Sequence, residues 1–388
     1  MSRDAEQVPS RPHGPESAYG SAGVDYEALD AGKRDALSQA LATSAASAEM
    51  LHFSGARVFD RSRGEPAFAF EVDGRTFAFV LECLGTKSII ARELEDELGE
   101  AAFANVAYDT VAAIVNDLCC LGALPLVVNA YFAVGSSDWY ERGQRKAGLL
   151  SGWREACVDA GATWGGGESP SLSGLVAASD IELAGSAVGT VPAGRGAILG
   201  DDLGPGDEIV IVGSTGLHAN GASLARRVAA QLDDGYRTPL PSGRVFGVAV
   251  LDRSAMYAGL VRGLLESEAE IHYLSHITGH GLLKLMRARR ELTYRVTALP
   301  EVPEVLEFLV GQAELSPTAA YSTFNMGCGF AVYCAEGAGD RVTELATQLG
   351  LPAVVGGRVE EGPRRVVLEE VGIVFESGDL DLAPGPGS

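Results

Sequence analysis

No uninterrupted apolar run in this chain reaches the roughly 20 residues of a membrane-spanning helix, so no transmembrane helix is expected. The first ten residues, Met1 to Ser10, lack the apolar core of a secretory signal. Positive charge is scarce, with 30 Lys and Arg against 52 Asp and Glu and a formal net charge of -22. That balance argues against a nucleic-acid partner, which needs a basic face. It does not exclude a phosphorylated small molecule, because a few local donors and a metal override the global field. The six cysteines (Cys83, Cys119, Cys120, Cys157, Cys328 and Cys334) include no C-x-x-C pair. Adjacent Cys119 and Cys120 read as packing residues. With no signal peptide, the chain is expected to be cytoplasmic with reduced thiols. Walker A, strand–G-x-G-x-x-G–helix and G-x-S-x-G patterns are also missing, which removes three common routes to nucleotide and acyl chemistry.

What is present suggests two α/β (α+β) domains. At 388 residues the chain is long for one core. Its 46% apolar and 21% charged residues are ordinary for a globular protein. Residues 1–18 and 376–388, rich in Ser, Pro, Gly and charge, are expected to be disordered tails. Between them a first block, 19–200, has strand-like Phe77–Leu81, Leu126–Phe132 and Ile181–Val188. The turn-rich Asp201–Asp207 then separates it from a second block, 206–375, which opens on the apolar run Glu208–Val212. Each block alternates strands with helices, as duplicated halves would.

Within the first block, Ala107–Leu118 reads as a buried helix, because Val111, Ile114, Val115 and Leu118 recur at helical spacing. Yet it carries Asp109 and Asn116 on one face, almost two turns apart, with Ala112 and Ala113 leaving the space between them open. A charge on an apolar helix needs compensation. Asp109 alone reads equally as a structural carboxylate or cap; Asp109, Asn116, Asp117 and the later Glu168 together point to an oxygen-ligated Mg2+. Glu82-Cys-Leu-Gly-Thr-Lys87 follows a strand and offers a carboxylate, a Gly-Thr turn and a lysine, which suits phosphotransfer or a plain surface turn. In the second block, Ser214–Gly221 and His276–Gly281 are Gly-containing turns that lead into helices. Such turns suit phosphate, and they are also ordinary structural punctuation. His218 and His280 read as capping or packing residues as readily as proton carriers.

Seven motifs in order carry a resemblance: Ala22-Gly-Val-Asp25, Gly85-Thr86-Lys87, Asn116-Asp117, Gly166-Gly167-Glu168, Gly216-x-His218-x-Asn220-Gly221, Ile277-Thr278-Gly279 and Phe324-Asn325-x-Gly327. From about Tyr19 to Ile373 the chain resembles the aminoimidazole ribonucleotide synthetase, or phosphoribosylformylglycinamidine cyclo-ligase, family of the purine pathway. The resemblance implies a two-domain fold, usually a homodimer pairing its N-terminal sheets, and an ATP- and Mg2+-dependent ring closure through an imidate phosphate. It implies a nucleotide and metal site at Gly85, Thr86, Lys87, Asp109, Asn116, Asp117, Gly166, Gly167 and Glu168, with Glu82 as a further metal ligand. Catalysis would fall to Lys87, His218 and Asn220. The phosphorylated small-molecule substrate would also meet Asp25, Thr278, Gly279, His280 and Asn325.

Departures accompany the resemblance. Glu82-Cys-Leu-Gly-Thr-Lys87 stands where the family has Asp-Gly-Val-Gly-Thr-Lys. The family's glycine run before this strand is reduced to Phe53-Ser-Gly-Ala56. Ser169-Pro170 follows Glu168 in place of Thr and an acidic residue, and His280 interrupts a Thr-Gly-Gly-Gly turn. They fit either a divergent subgroup of the same activity or a relative that cyclises another amide or amidine; against a non-catalytic nucleotide-binding paralogue stand the retained Lys87, Asp109, Asp117, Glu168 and His218. Two siblings on the scaffold that act through cysteine fit less well, since the last cysteine is Cys334 and residues 1–50 hold none.

Overall fold

Two sheets organise the chain in the computed structural model, which describes residues 26–380. Asp25 and the tail expected over residues 1–18 lie outside the described residues. A 28-residue helix, α1 (Tyr26–Phe53), precedes β1 (Ala56–Val58), β2 (Phe68–Val72) and β3 (Arg75–Cys83). Then come α2 (Lys87–Glu93), α3 (Glu95–Leu98) and α4 (Glu100–Cys119). β4 (Leu124–Val134), α5 (Arg145–Ala160), β5 (Thr163–Glu168) and β6 (Ile181–Thr190) complete the first unit. Its strands run in the order β1-β2-β3-β6-β4-β5, antiparallel except for the β4–β5 pair.

The second unit begins with β7 (Glu208–Gly213), α6 (Ala222–Ala229), α7 (Phe246–Val250) and α8 (Ala258–Glu266). β8 (Ile271–His276), β9 (Leu292–Val296), α9 (Glu304–Gln312) and α10 (Pro317–Tyr321) follow. It ends with β10 (Cys328–Cys334), α11 (Gly339–Gln348), β11 (Ala353–Glu361), β12 (Arg365–Leu368) and β13 (Ile373–Glu376). The strand order is β13-β12-β9-β11-β7-β10-β8. Interior strands β7 and β10 are buried on both faces, which is why they read as continuous apolar runs rather than alternating ones.

β6 shows the opposite pattern, alternating buried and half-buried residues, because only one face of its sheet is covered. The cover is α4, whose Val111, Ile114, Val115 and Leu118 are fully buried. α5 lies beside it at backbone contact. A Cβ added to Gly152 would sit 2.0 Å from the Ala104 carbonyl oxygen, and one on Gly148 would sit 2.1 Å from that of Glu100. Those two glycines set the helix–helix distance. Order also continues past residue 376: Glu376 and Asp379 cap a short turn at Ser377–Asp379, and Leu380 is buried. The apolar Leu380 anchors a stretch whose composition reads as a tail.

Candidate active site

The buried charge on α4 is compensated by a lysine. Lys87, at the start of α2, donates from Nζ to Asp109 Oδ2 at 2.5 Å and to the His218 carbonyl at 2.7 Å. Both side chains are fully buried. The second oxygen, Oδ1, accepts the Ser254 backbone N–H at 2.6 Å. Asp109 thus has protein partners on both oxygens, and the compensation expected from a cation comes from Lys87. One ion pair joins α2, α4, the loop before α6 and the segment before α8.

Asn116 uses the same face of α4 and the same target. Its Nδ2 donates to the Ala255 carbonyl and its Oδ1 accepts the Tyr257 N–H, both at 2.9 Å. The two residues aligned on one helix face therefore grip residues 254–257 of the second unit. Next to them, His276 Nδ1 meets Asp117 Oδ1 at 2.6 Å at the end of β8. Glu82 lies within the field of Asp117. Burial first, and the Asp117 charge second, push its carboxyl up to about 7, with the Cys83 N–H, Lys284 and Arg287 opposing.

A narrow cleft, with about 20 Å³ of room for water-sized groups, lies between the units, lined among others by Asn116, His218, Asn220, Ser254, Thr278 and Asn325. Five of these six are residues that the motifs single out. Ser254 and His276, which also lines the cleft, are not. Their roles depend on contacts 145 and 159 residues distant in sequence, so spacing gave no signal for them. The loop Ser214–Gly221 is clamped by Asn325: its Nδ2 donates to the Gly216 carbonyl at 2.9 Å, and its Oδ1 accepts the Ser214 hydroxyl at 2.8 Å. His218 sits at φ +61°, a left-handed conformation that costs a non-glycine residue energy. Its Nε2 accepts the backbone N–H of Thr215 at 3.2 Å and of Ala255 at 3.4 Å. Burial, then the nearby His276 and Lys87, depress its basicity to about 3, so the ring is neutral at physiological pH.

Around this cleft, Gly85 (φ +72°) shapes the turn into α2, and the Thr86 hydroxyl meets that of Ser223 at 3.0 Å. Gly279 and His280 continue the turn from Thr278, with His280 at φ +70° before the 3-10 turn Gly281–Met286. Gly166, Gly167 and Glu168 lie elsewhere, on edge strand β5. A Cβ on Gly167 would fall 1.9 Å from the Ala130 carbonyl, so that glycine is required by strand pairing. Glu168 is exposed and accepts the Ser169 N–H at 3.2 Å. Glu82 on β3 and Glu168 on β5 are separated by β6 and β4, roughly 14 Å of sheet. Glu82, Asp109, Asp117 and Glu168 do not gather as one ligand set. Among the described residues no three His, Cys, Asp or Glu side chains form one. Of the four, Glu82 and Asp117 are near enough for the charge of one to act on the carboxyl of the other, and carboxylates are the donor type that suits magnesium.

This two-unit architecture is shared with proteins of known structure. The hydrogenase maturation protein complex HypE–HypF matches with a TM-score of 0.56 at 18% identity over 82% of this chain and 93% of that one. Thiamine-monophosphate kinase from Stenotrophomonas maltophilia K279a matches with a TM-score of 0.55 at 20% identity, covering 79% and 90%. At such identities the likeness is one of fold. Sequence narrows it further. Residues 64–191 match the N-terminal domain, and residues 204–369 the C-terminal domain, of AIR synthase related protein. The phosphoribosylformylglycinamidine cyclo-ligase of Methanothermobacter thermautotrophicus is 34% identical over 309 residues, 79% of this chain and 83% of that protein. That of Carboxydothermus hydrogenoformans is 30% identical over 310 residues, 79% and 84%. The chain belongs to the aminoimidazole ribonucleotide synthetase (phosphoribosylformylglycinamidine cyclo-ligase) family of ligases.

Proposed function

We propose that the protein converts formylglycinamidine ribonucleotide to aminoimidazole ribonucleotide, with ATP consumed to ADP and phosphate and Mg2+ as the metal. The observation that carries this reading is a cleft that collects Asn116, His218, Asn220, Thr278 and Asn325 from both units. The names of the relatives supply the reaction, and the cleft brings side chains of both units together.

The chemistry has two stages. The formyl oxygen of the substrate attacks the terminal phosphorus of ATP, and the electron pair of the broken P–O bond leaves with ADP. An internal amidine nitrogen then attacks the formyl carbon, and the C–O electron pair leaves with phosphate. Phosphorylation replaces an impossible oxide leaving group with a good one, so the protein chiefly aligns the partners and stabilises charge. Glu82 and Asp117 would hold the metal, whose charge offsets that of the phosphates. Thr278, Gly279 and His280 form the turn nearest the cleft that would take the ribose phosphate, and Asn220 would contact the reacting end. Lys87 and Asp109 act as positioning residues, because both are buried and committed to the His218 loop and to Ser254. Asn325 positions the same loop. Gly85 and Thr86 would approach the nucleotide phosphates, while Gly166, Gly167 and Glu168 would act from the sheet edge.

A homodimer fits the uncovered face of the first sheet, where Phe79, Leu81, Leu126 and Val127 are exposed. All six cysteines are free thiols, five of them buried. The mechanism is tested with substrate carrying 18O in the formyl group. The label should emerge in inorganic phosphate. Label recovered in water instead would exclude the imidate phosphate route.

A further inference from the structure

We propose that His218 acts as a neutral hydrogen-bond donor through Nδ1–H and that, with the Ser254 hydroxyl, it forms a two-donor seat for one oxygen of the substrate. The tautomer follows from geometry. Backbone N–H groups only donate, and two of them, from Thr215 and Ala255, point at Nε2. That nitrogen must present its lone pair, so the single proton of the neutral ring resides on Nδ1. An imidazolium would set a third N–H against these two. The loop cannot swing to relieve it, because Lys87 holds the His218 carbonyl and Asn325 holds Gly216.

Among the described residues, buried Nδ1 of His218 and Oγ of Ser254 have no hydrogen-bond partner. Both residues are more than nine-tenths buried and both line the cleft. Ser254 is fixed there by its own backbone, through the N–H that Asp109 accepts. Buried donors are rarely left unmatched, so two in one cleft mark the place of an acceptor. The acceptor is an oxygen, carbonyl or phosphoryl, since a donor on the ligand would face Nδ1–H. His218 is thereby excluded as a general base: one ring nitrogen already carries its proton and the other is occupied. Assigning this oxygen to the substrate rests on the reading of the cleft given above; the tautomer does not.

The test uses the whole protein labelled with 15N at histidine, with the His218 signals assigned by their loss in His218→Asn. Long-range proton–nitrogen spectra at neutral pH should show a protonated Nδ1 and a bare Nε2. Formylglycinamidine ribonucleotide, added without ATP, should shift the Nδ1 proton. A like shift with inorganic phosphate alone would identify a phosphoryl oxygen, and none would identify the carbonyl. In turnover, His218→Asn places an amide N–H near Nδ1, whereas His218→Gln keeps only an acceptor near Nε2. Loss of one such donor costs about 10²–10³ in kcat, so His218→Gln should be hit at least tenfold harder than His218→Asn. Ser254→Ala should lower kcat, with Ser254→Thr restoring it. A proton on Nε2, or His218→Gln outperforming His218→Asn, would overturn the proposal. Wild-type protein without turnover but with the expected spectrum would sink the cyclo-ligase reading and leave the tautomer standing.

Discussion

Lys87 and Asp109 are each worth little alone and costly to separate. Replacing Lys87 with Met leaves a fully buried carboxylate with one backbone donor, and breaking such a pair costs about 3–5 kcal/mol. Denaturant unfolding should show that loss, and the double variant with Asp109→Asn should recover part of it. An additive double variant would mean that the pair is not coupled. Glu82 carries a pH signature. Its carboxyl holds a proton to about pH 7 when folded and to about 4.5 otherwise. It therefore contributes stability that is present below about pH 4.5 and lost as the pH rises to about 7. His218, held down to about 3, works in the opposite sense: its contribution is present above its ordinary 6.5 and fades as the pH falls towards 3. Glu82→Gln should flatten the decline of Tm between pH 4.5 and 7, and an unchanged profile would acquit Glu82. Sequence spacing showed that Asp109 and Asn116 share a helix face. It could not show what that face grips, because Ser254 to Tyr257 lie about 140 residues downstream.

Helices α4 and α5 are held at a distance set by two glycines. Gly152→Ala drives a Cβ towards the Ala104 carbonyl, a backbone atom that cannot turn aside. Overpacking of this kind costs about 1–3 kcal/mol, readable as a lower urea midpoint. No loss would mean that the helices part without penalty. The loop before α6 depends likewise on Asn325. Removing its amide in Asn325→Ala frees Gly216 and Ser214, and small misplacements of reacting groups can cost about 10² in rate. Activity should fall far more than Tm. Apolar periodicity made the strands and α4 legible, and β7 stood out because interior strands are apolar on both faces. The order of strands was not legible, since pairing β3 with β6 joins segments about a hundred residues apart. Glu168 shows the limit most clearly: the motif glycine beside it, Gly167, serves strand pairing, while the glutamate itself is exposed at the sheet edge.

The open face of the first sheet exposes Phe79, Leu81, Leu126 and Val127. If it is the seat of a second copy, Phe79→Asp with Leu81→Asp should halve the sedimenting mass without unfolding the chain. A wild-type monomer would remove the dimer from the account. The division into two units and the family were legible, because seven short motifs keep their order along the chain. The cleft was legible only as separate residues, since its walls come from both units. The central claim is that this cleft closes an imidazole ring at the expense of ATP. It is tested most directly by measuring phosphate release from Mg-ATP with and without formylglycinamidine ribonucleotide, following the organic product by mass. The account predicts substrate-dependent release matched by a product one water lighter than the substrate. Protein that binds ATP and substrate yet releases no additional phosphate would contradict it.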